Sequence, residues 1–316
     1  MIKVGVVGLG MMGQNHARVY TELGCELVGV ADSDLERARE IGERCSTRYY
    51  ADYRELLPQV DAVSIVVPTS LHKEVAEDFL TQGIHCLVEK PIASTIEDAE
   101  ALVQAAEYAN AKLAIGHIER YNPAVTKLKD IIGRGILGDM IALSTRRVGP
   151  FVPRIRDVGV IVDSASHDID IARYIMGREP IGTFARANRF KHPKEEDQAI
   201  IVMDFGSTTA TIEVNWFTPH KVRSLIVTGS KGTAYLDYIE QTLTICNAEG
   251  ELNVTIEKAE PLKLELDHFL KCVDNDEDPL VNGHDGLMTL DICLVAAHRQ
   301  NYILEKATNI AQPVMV

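Results

Sequence analysis

The sequence predicts an α/β protein in two parts. The first is a doubly wound parallel sheet, and the second is an α+β domain with a large, mainly antiparallel sheet. Two observations predict this: short apolar runs alternate with amphipathic segments over the first 120 residues, and a β-rich pattern with frequent turns follows later. A chain of 316 residues is long enough for two domains. We therefore expect an N-terminal domain over residues 1–120 and a second domain, for substrate binding and oligomerisation, over residues 121–316.

The N-terminal elements follow one another as β-strand and α-helix in turn. Uninterrupted apolar runs are typical of strands that are buried on both faces of a parallel sheet. Ser33 with Glu36, and Ser94 with Glu97, have the spacing of capping boxes that open helices. The predicted strands cover residues 2–7, 26–31, 62–67, 86–88 and 112–115, and the predicted helices cover 13–23, a segment from 33, 71–82 and 94–110.

The remaining elements are mostly strands. We expect a helix over 123–132, a strand over 140–148, antiparallel strands between 183 and 256, and helices over 262–274 and 284–305. The run Ile200, Ile201, Val202 and Met203 is apolar in both strand registers, so both faces of the sheet need cover. Helices can cover one face and another subunit the other. We therefore expect a homodimer or a homotetramer.

Composition excludes several classes of protein. The formal net charge of −14 argues against a general binder of nucleic acid or of anionic membranes. The six cysteines are scattered without a C-x-x-C pair, so neither a disulfide framework nor a zinc site is expected. The chain opens directly into a strand pattern and has no apolar run long enough for a membrane span. We expect a cytoplasmic protein without a bound metal.

The motif GLGMMG, at positions 8–13, lies between the first strand and the first helix. In the Rossmann dinucleotide fingerprint, Gly8 makes the tight turn, Gly10 lets the pyrophosphate approach, and Gly13 lets the helix pack on the strand. Asp32 ends the second strand, where a carboxylate binds the ribose hydroxyls and repels a 2′-phosphate. Arg37 is the one cation nearby, so NAD is favoured over NADP. The alternative is a glycine-rich turn without a ligand.

Lys90 stands at the end of a buried strand and is followed by Pro91, an arrangement that permits a cis peptide bond. Ligands of open α/β sheets bind at the carboxyl ends of the strands, so Lys90 shares an edge with Gly10. Thr69 and His72 follow the neighbouring strand and should line the same crevice. A lysine there can lie near a nicotinamide ring; the alternative is a solvent-facing side chain at a strand end.

Asp163, His167 and Asp170 fall at i, i+4 and i+7, on one face of a predicted helix. A histidine held by an acid is a candidate general base. The alternatives are a structural histidine on a helix surface and an ion pair between Asp170 and Arg173 at i+3.

Three motifs in this order resemble one known family. GLGMMG, the EKP at 89–91 and the element G-x-x-x-D-x-x-x-H-x-x-D at 159–170 are similar to the glucose–fructose oxidoreductase / inositol dehydrogenase (Gfo/Idh/MocA) family. The resemblance extends over essentially the whole chain. It implies that Lys90, Asp163 and His167 are the catalytic residues, around the nicotinamide and the reacting carbinol, and leaves open whether Lys90 or His167 is the formal base. Residues 164–166 are Ser-Ala-Ser, where many relatives have glycine or aliphatic residues; this departure bears on the identity of the sugar.

The cofactor site combines the glycine turn, the acid of the second strand and the ends of the next two strands. We expect NAD to contact Gly8, Gly10, Met11, Met12, Gly13, Asp32, Pro68, Thr69, His72, Glu89 and Lys90.

The substrate is indicated by an arginine cluster in an acidic chain. Arg146, Arg147, Arg154 and Arg156 lie within a few residues, and arginine forks suit phosphate groups; the alternative is a set of surface charges. With GHIERYNPAV at 116–125, this segment is similar to the UDP-N-acetylglucosamine 3-dehydrogenase branch of the family, whose ketone product goes to a partner aminotransferase. The expected substrate-binding residues are Glu119, Arg120, Tyr121, Asn122, Arg154, Arg156, Asp163 and His167.

Two other functions stay open from the sequence. A dehydrogenase of free polyols or sugars, similar to an inositol 2-dehydrogenase, would not need the arginine cluster. A non-catalytic NAD-binding regulator would keep the fold without the chemistry, but the presence of Lys90, Asp163 and His167 argues against it.

Overall fold

A computed structural model describes residues 1–151 and 158–298. The described residues form two compact units: Met1–Tyr121 with Ala259–Leu290, and the described part of Asn122–Lys258 with residues 291–298. The sequence-based boundary near residue 120 assigned everything after it to the second domain. In the structure, the segment Ala259–Leu290 belongs to the first unit instead.

The first unit contains a six-stranded parallel sheet, as the sequence predicts. Its strands have the order β3-β2-β1-β4-β5-β6. They are β1 (Lys3–Val7), β2 (Glu26–Ala31), β3 (Arg48–Tyr50), β4 (Ala62–Ile65), β5 (His85–Val88) and β6 (Leu113–Ile115). The helices between them are α1 (Met11–Glu22), α2 (Leu35–Arg44), α3 (His72–Leu80) and α4 (Ile96–Ala109). The carboxyl ends of all six strands therefore lie at one edge.

Two details of this unit differ from the sequence-based expectation. Strand β3 was not predicted, because its residues Arg-Tyr-Tyr are largely exposed at the sheet edge and form no apolar run. The helix caps lie one residue later than expected: Asp34 accepts the N–H of Arg37, and Thr95 accepts the N–H of Asp98. Ser33 and Ser94 are therefore not the N-caps.

The remaining helices are α5 (Pro123–Gly133), α6 (Ser166–Met176), α7 (Pro261–Asn275) and α8 (Gly283–His298). Helix α7 joins the first unit through an apolar face: Leu266 and Phe269 are buried in one core with Ala17 and Tyr20 of α1. Periodicity in the sequence shows that α7 has a buried face but not which surface covers it, which is why the domain boundary was placed differently.

The second unit is built on an eight-stranded sheet of order β14-β13-β12-β11-β7-β10-β9-β8. Only the β7–β10 pair is parallel among the strand pairs that the structure describes here, so the expected mainly antiparallel sheet is confirmed. The strands are β7 (Met140–Pro150), β8 (Gly182–Asn188), β9 (Gln198–Asp204), β10 (Thr209–Asn215), β11 (Phe217–Gly229), β12 (Gly232–Asp237), β13 (Thr242–Asn247) and β14 (Gly250–Val254).

One face of this sheet is covered by the core of the unit, and the other carries exposed apolar side chains. Ile201, for example, is fully buried, whereas its neighbour Ile200 is 46% exposed. Phe184, Ile226 and Tyr235 also lie exposed on strands of this sheet. The homodimer or homotetramer that would cover this face stays a prediction. Among the described residues, no helix combines the length and the apolar character that crossing a bilayer demands.

Candidate active site

Two of the three glycines in the first turn are required by the fold itself. Gly8 has φ of +88°, and a Cβ there would stand 2.5 Å from the carbonyl oxygen of Val66. A Cβ on Gly13 would overlap the carbonyl oxygen of Gly8. Only glycine allows this close crossing of the β1–α1 turn and the end of β4.

Gly10 differs from the other two because packing does not require it. Its φ of −61° suits any residue, and among the described residues a Cβ there would have no contact within 4 Å outside its own neighbours. The first main-chain bond of α1 runs from the N–H of Gln14 to the oxygen of Gly10, so the N–H groups of Met11 and Met12 precede the bonded part of the helix. An open glycine beside a helix N-terminus fits the pyrophosphate of a dinucleotide.

This contrast gives a matched pair of variants. Gly10→Ala should fold normally and lose NAD affinity by tenfold or more, since the new methyl group occupies the space where the pyrophosphate would approach. Gly13→Ala should lower the free energy of unfolding by about 2 kcal/mol or more, because the β1–α1 turn must open. Thermal denaturation and NAD titration by calorimetry measure both effects. Equal NAD affinity in Gly10→Ala and the wild type would contradict a pyrophosphate at this turn.

Asp32 is fixed at the end of β2 by two main-chain donors. Its Oδ2 accepts the N–H of Leu9 at 2.7 Å, and its Oδ1 accepts the N–H of Asp34 at 2.9 Å. Arg37 lies between the two carboxylates, 3.4 Å from Asp32 and 3.2 Å from Asp34. The turn therefore presents a held carboxylate where the adenosine ribose is expected, and the nearby Arg37 already pairs with both acids. This charge pattern favours NAD over NADP.

Glu89 ties the end of β5 to helix α1. Its Oε1 lies 3.2 Å from Nε2 of the buried His16, and its Oε2 accepts the N–H of Lys90 at 3.1 Å. Burial raises the pKa of Glu89, but the hydrogen bond and charge of His16 and the charge of Lys90 outweigh it, so the net pKa is lowered. The carboxylate therefore stabilises the fold at neutral pH, and this contribution is lost as the pH falls through the lowered pKa.

Lys90 is partly buried at the same sheet edge as Gly10, two strands away in the order β1-β4-β5. At the usual strand spacing this corresponds to about 10 Å. The Lys90–Pro91 peptide bond is cis, as the sequence allows. The expected shared edge for Lys90 and the glycine turn is therefore confirmed within the first unit.

His72 connects the segments that follow β4 and β5. Its ring nitrogens lie 2.8 Å from the oxygen of Pro91 and 2.9 Å from the oxygen of Val67, and the side chain is buried. Burial lowers its pKa. Pro68 is exposed and Thr69 is half-buried at the same edge. His72 thus holds the two strand ends together, and its expected contact with NAD stays a prediction.

The segment after β6 is buried and largely structural in its contacts. Arg120 pairs with Asp285 at 2.9 Å and 3.2 Å and donates to the oxygen of Leu280 at 3.0 Å. Glu119 is also buried, and the ring of Tyr121 packs 5.5 Å from that of His268 in the first unit.

Asn122 opens the second unit by capping α5. Its Oδ1 accepts the N–H of Ala124 at 3.1 Å, and its Nδ2 donates to the oxygen of Tyr238 at 3.1 Å. The sequence allowed this role for Asn122 and Pro123 as a helix start, beside the expected role in binding substrate. The substrate-binding role of residues 119–122 stays a prediction.

Asp163 and His167 lie on one helical segment of the second unit, but not in a regular α-helix. Ile161–Ala165 forms a π-helical turn, and α6 starts directly after it. Such turns are rare and frequently occur at functional sites. Both side chains are half-buried, and Asp163 accepts a hydrogen bond from the hydroxyl of Ser164 at 3.0 Å.

Asp170 does not extend this pair into an accessible stripe. Its side chain is 1% exposed and lies 3.7 Å from Arg173, so the alternative pairing at i+3 is the one that the structure contains. The predicted face therefore consists of Asp163 and His167.

Two arginines of the cluster pair with carboxylates in the structure, and the other two lie outside the described residues. Arg146 pairs across the sheet with Glu213 at 3.0 Å, on the surface. Arg147 is buried, donates to Asp168 at 2.7 Å and lies over the ring of Tyr238. Arg154 and Arg156 lie outside the described residues.

The residues that sequence reasoning missed are His16 and Asp168, each of which pairs with a residue far away in the sequence. His16 lies 73 positions from its partner Glu89, and Asp168 lies 21 positions from its partner Arg147. The sequence offers no spacing rule for either pair. For His16, the one signal in the sequence was a histidine within the helix that follows the glycine turn.

Comparisons with known proteins agree with this architecture. Residues 2–117 match the model of an oxidoreductase family with an NAD-binding Rossmann fold, and residues 125–235 match the GFO/IDH/MocA C-terminal domain. The chain is 31% identical to the UDP-N-acetylglucosamine 3-dehydrogenase of Acidithiobacillus ferrooxidans, over 93% of this chain and 95% of that one. A solved structure of that enzyme superposes with a TM-score of 0.88 at 32% identity, covering 95% and 98% of the two chains.

Inositol dehydrogenases are similar at slightly lower identity. The scyllo-inositol 2-dehydrogenase (NAD(+)) of Bacillus subtilis is 29% identical over 94% of this chain and 93% of its own. The myo-inositol 2-dehydrogenase of Thermotoga maritima is 28% identical over 92% and 93%. The protein described here is an NAD-dependent oxidoreductase that belongs to the Gfo/Idh/MocA family.

Proposed function

We propose that the protein oxidises a secondary hydroxyl of a sugar, and that the sugar is a UDP-N-acetylhexosamine oxidised at C3. The dehydrogenase chemistry is supported chiefly by the residues at the carboxyl-terminal end of the parallel sheet. There the open Gly10 and the lysine after β5 stand two strands apart. This arrangement puts a cation beside the path that a dinucleotide takes from the glycine turn.

The three proposed catalytic residues divide the work of removing a proton and a hydride from the carbinol. Bound NAD⁺ supplies the hydride acceptor. His167 takes the hydroxyl proton, and Asp163 orients the imidazole and stabilises its charged form. The ammonium group of Lys90 donates a hydrogen bond to the alcohol oxygen and stabilises the negative charge that develops there.

The nucleotide-sugar assignment is supported by the relative from Acidithiobacillus ferrooxidans and by the arginine-rich segment. Arg146 and Arg147 are engaged by carboxylates in the described part, so we assign the diphosphate to Arg154 and Arg156. A 3-ketone formed in this way has the chemistry that an aminotransferase consumes.

A free polyol is the second candidate substrate. It is favoured because Arg146 and Arg147 already pair with carboxylates and so leave fewer arginines for a phosphate group. It is also favoured by the similarity to two inositol 2-dehydrogenases. A polyol carries no phosphate and would need none of these guanidinium groups.

A substrate panel separates the two candidates. The purified protein is mixed with NAD⁺ and, one at a time, UDP-N-acetylglucosamine, UDP-N-acetylgalactosamine, UDP-glucose, scyllo-inositol and myo-inositol, with hydroxylamine added to trap the ketone. We expect NADH to form with the UDP-N-acetylhexosamines, and kcat/KM to fall at least tenfold in Arg154→Ala/Arg156→Ala with NAD affinity unchanged. Turnover of the inositols alone would contradict the nucleotide-sugar assignment.

A further inference from the structure

The helical segment that carries Asp163 and His167 begins at a carboxylate from another part of the second unit. The main-chain oxygen of Glu196 accepts the N–H of Val160 at 2.9 Å, and its Oε1 accepts the N–H of Ile161 at 3.1 Å. One residue therefore satisfies two successive donors that a helix start leaves open. The negative charge also complements the positive end of the helix dipole.

Gly159 leaves the space that the carboxyl group of Glu196 occupies in this contact. A Cβ at position 159 would overlap the carboxyl group of Glu196. The backbone at Gly159 is not in the left-handed region, so the space taken by the Glu196 carboxyl group, rather than the backbone conformation, favours glycine there. The first residue of the 159–170 motif is therefore in contact with Glu196, which lies 37 residues later in the chain.

The main chain next to Glu196 is anchored by the hydrogen bonds of the following residue, Asp197. Asp197 is fully buried and accepts the N–H groups of Phe190, Lys191 and His192 at 2.6–3.1 Å. Its main-chain oxygen accepts the N–H of Trp216 at 3.0 Å. The loop between β8 and β9 is therefore a fixed support for the Glu196 carboxylate.

The ionised carboxylate is costly in this place. Burial raises the pKa of Glu196, with Glu195 raising it further and main-chain donors and His192 opposing the rise. Because the folded state then holds the proton more tightly than the unfolded chain does, the ionised form lowers the free energy of unfolding at neutral pH. An acid that costs stability and binds the start of a functional helix indicates a functional role.

We propose that Glu196 is a positioning residue of the active site: its carboxylate fixes the start of the π-helical turn and so sets the place of Asp163 and His167. The inference rests on the proposed catalytic role of those two residues. Asp163 stands two residues after Ile161, and its own N–H donates to the oxygen of Gly159 at 3.0 Å. A shift of the helix start therefore moves the acid–histidine pair directly.

Three variants test the contact. Glu196→Ala should lower kcat about tenfold, since catalytic groups tolerate little displacement, and should leave NAD affinity within about twofold. Glu196→Gln should recover most of this loss because its amide oxygen can still accept from Ile161. Glu195→Ala, at the adjacent position, leaves the Ile161 contact in place and is the matched control for kcat and NAD affinity, which should stay as in the wild type. It also removes a charge that raises the pKa of Glu196, so it is not a control for the pH profile.

The pH profile tests whether the hydrogen bond to Ile161 or the negative charge of Glu196 sets the position. A protonated carboxyl group keeps an oxygen that can accept from Ile161, as the amide of glutamine does. As the pH falls from neutral through the raised pKa of Glu196, the ratio of the wild-type kcat to that of Glu196→Gln should therefore approach one. The charges that act on the carboxylate include those of Glu195, which raises its pKa, and of His192, which lowers it. Neither is altered in Glu196→Gln.

Amide hydrogen exchange over residues 160–168 keeps the inference separate from the proposed function. Exchange there should be faster in Glu196→Ala than in the wild type and unchanged in Glu195→Ala. Wild-type kcat and pH profile in Glu196→Ala would overturn the inference while the dehydrogenase activity stands. If the wild type oxidises no sugar in the panel, the proposed function fails, and unchanged exchange in Glu196→Ala then overturns the positioning contact by itself.

Discussion

Replacing Lys90 by alanine is expected to lower kcat for sugar oxidation by about a hundredfold or more, with the fold intact. The main chain at Lys90 is held by the Glu89 carboxylate, which accepts its N–H, and this bond does not involve the ammonium group. The substitution therefore removes the ammonium group with little change to the end of β5. NAD affinity should fall much less than kcat, because the glycine turn and Asp32, which carry other expected contacts with NAD, are untouched.

Initial-rate kinetics with NAD⁺ and the best sugar of the panel measure this effect, and calorimetric titration measures NAD affinity. Lys73→Ala is the matched control, since Lys73 is a partly exposed lysine of α3 that pairs with Glu77 on the helix surface. Turnover of Lys90→Ala close to that of Lys73→Ala would exclude Lys90 from the chemical step.

Replacing His167 alone by glutamine is also expected to lower turnover by about a hundredfold. Glutamine keeps similar volume in this half-buried position but cannot accept the hydroxyl proton. The loss should appear in kcat rather than in NAD affinity, because the glycine turn and Asp32, which are expected to hold the dinucleotide, are untouched.

His220→Gln is the matched control, since His220 is exposed on β11. Addition of imidazole to His167→Gly should restore part of the activity, which a purely structural histidine would not allow. Full activity of His167→Gln would remove the general-base assignment.

The fold was predictable where burial is continuous along the chain. Uninterrupted apolar runs identified five of the six parallel strands, and turn residues separated the antiparallel ones. The failures are local or long-range. Strand β3 has no apolar run, the helix caps moved by one residue to Asp34 and Thr95, and α7 packs on α1 through a surface that periodicity cannot name.

The candidate site was predictable where chemistry depends on residues close in sequence. The glycine turn, Asp32 and Lys90 could be read from spacing and strand order. The residues that hold these groups in place could not be predicted from the sequence. His16 contacts Glu89, and Glu196 contacts Gly159, only because the fold brings distant segments together. Nor does an i, i+4 spacing reveal that the turn carrying Asp163 is π-helical rather than α-helical.

We propose that Lys90 and His167 act on one oxygen in one transition state. The most direct test is kcat/KM of the double variant Lys90→Ala/His167→Gln, compared with the two single variants in the same assay. Groups that act together are strongly non-additive, so we expect the double variant to be little slower than the slower single one. A loss equal to the product of the two single losses would show that the residues act independently and would contradict the account.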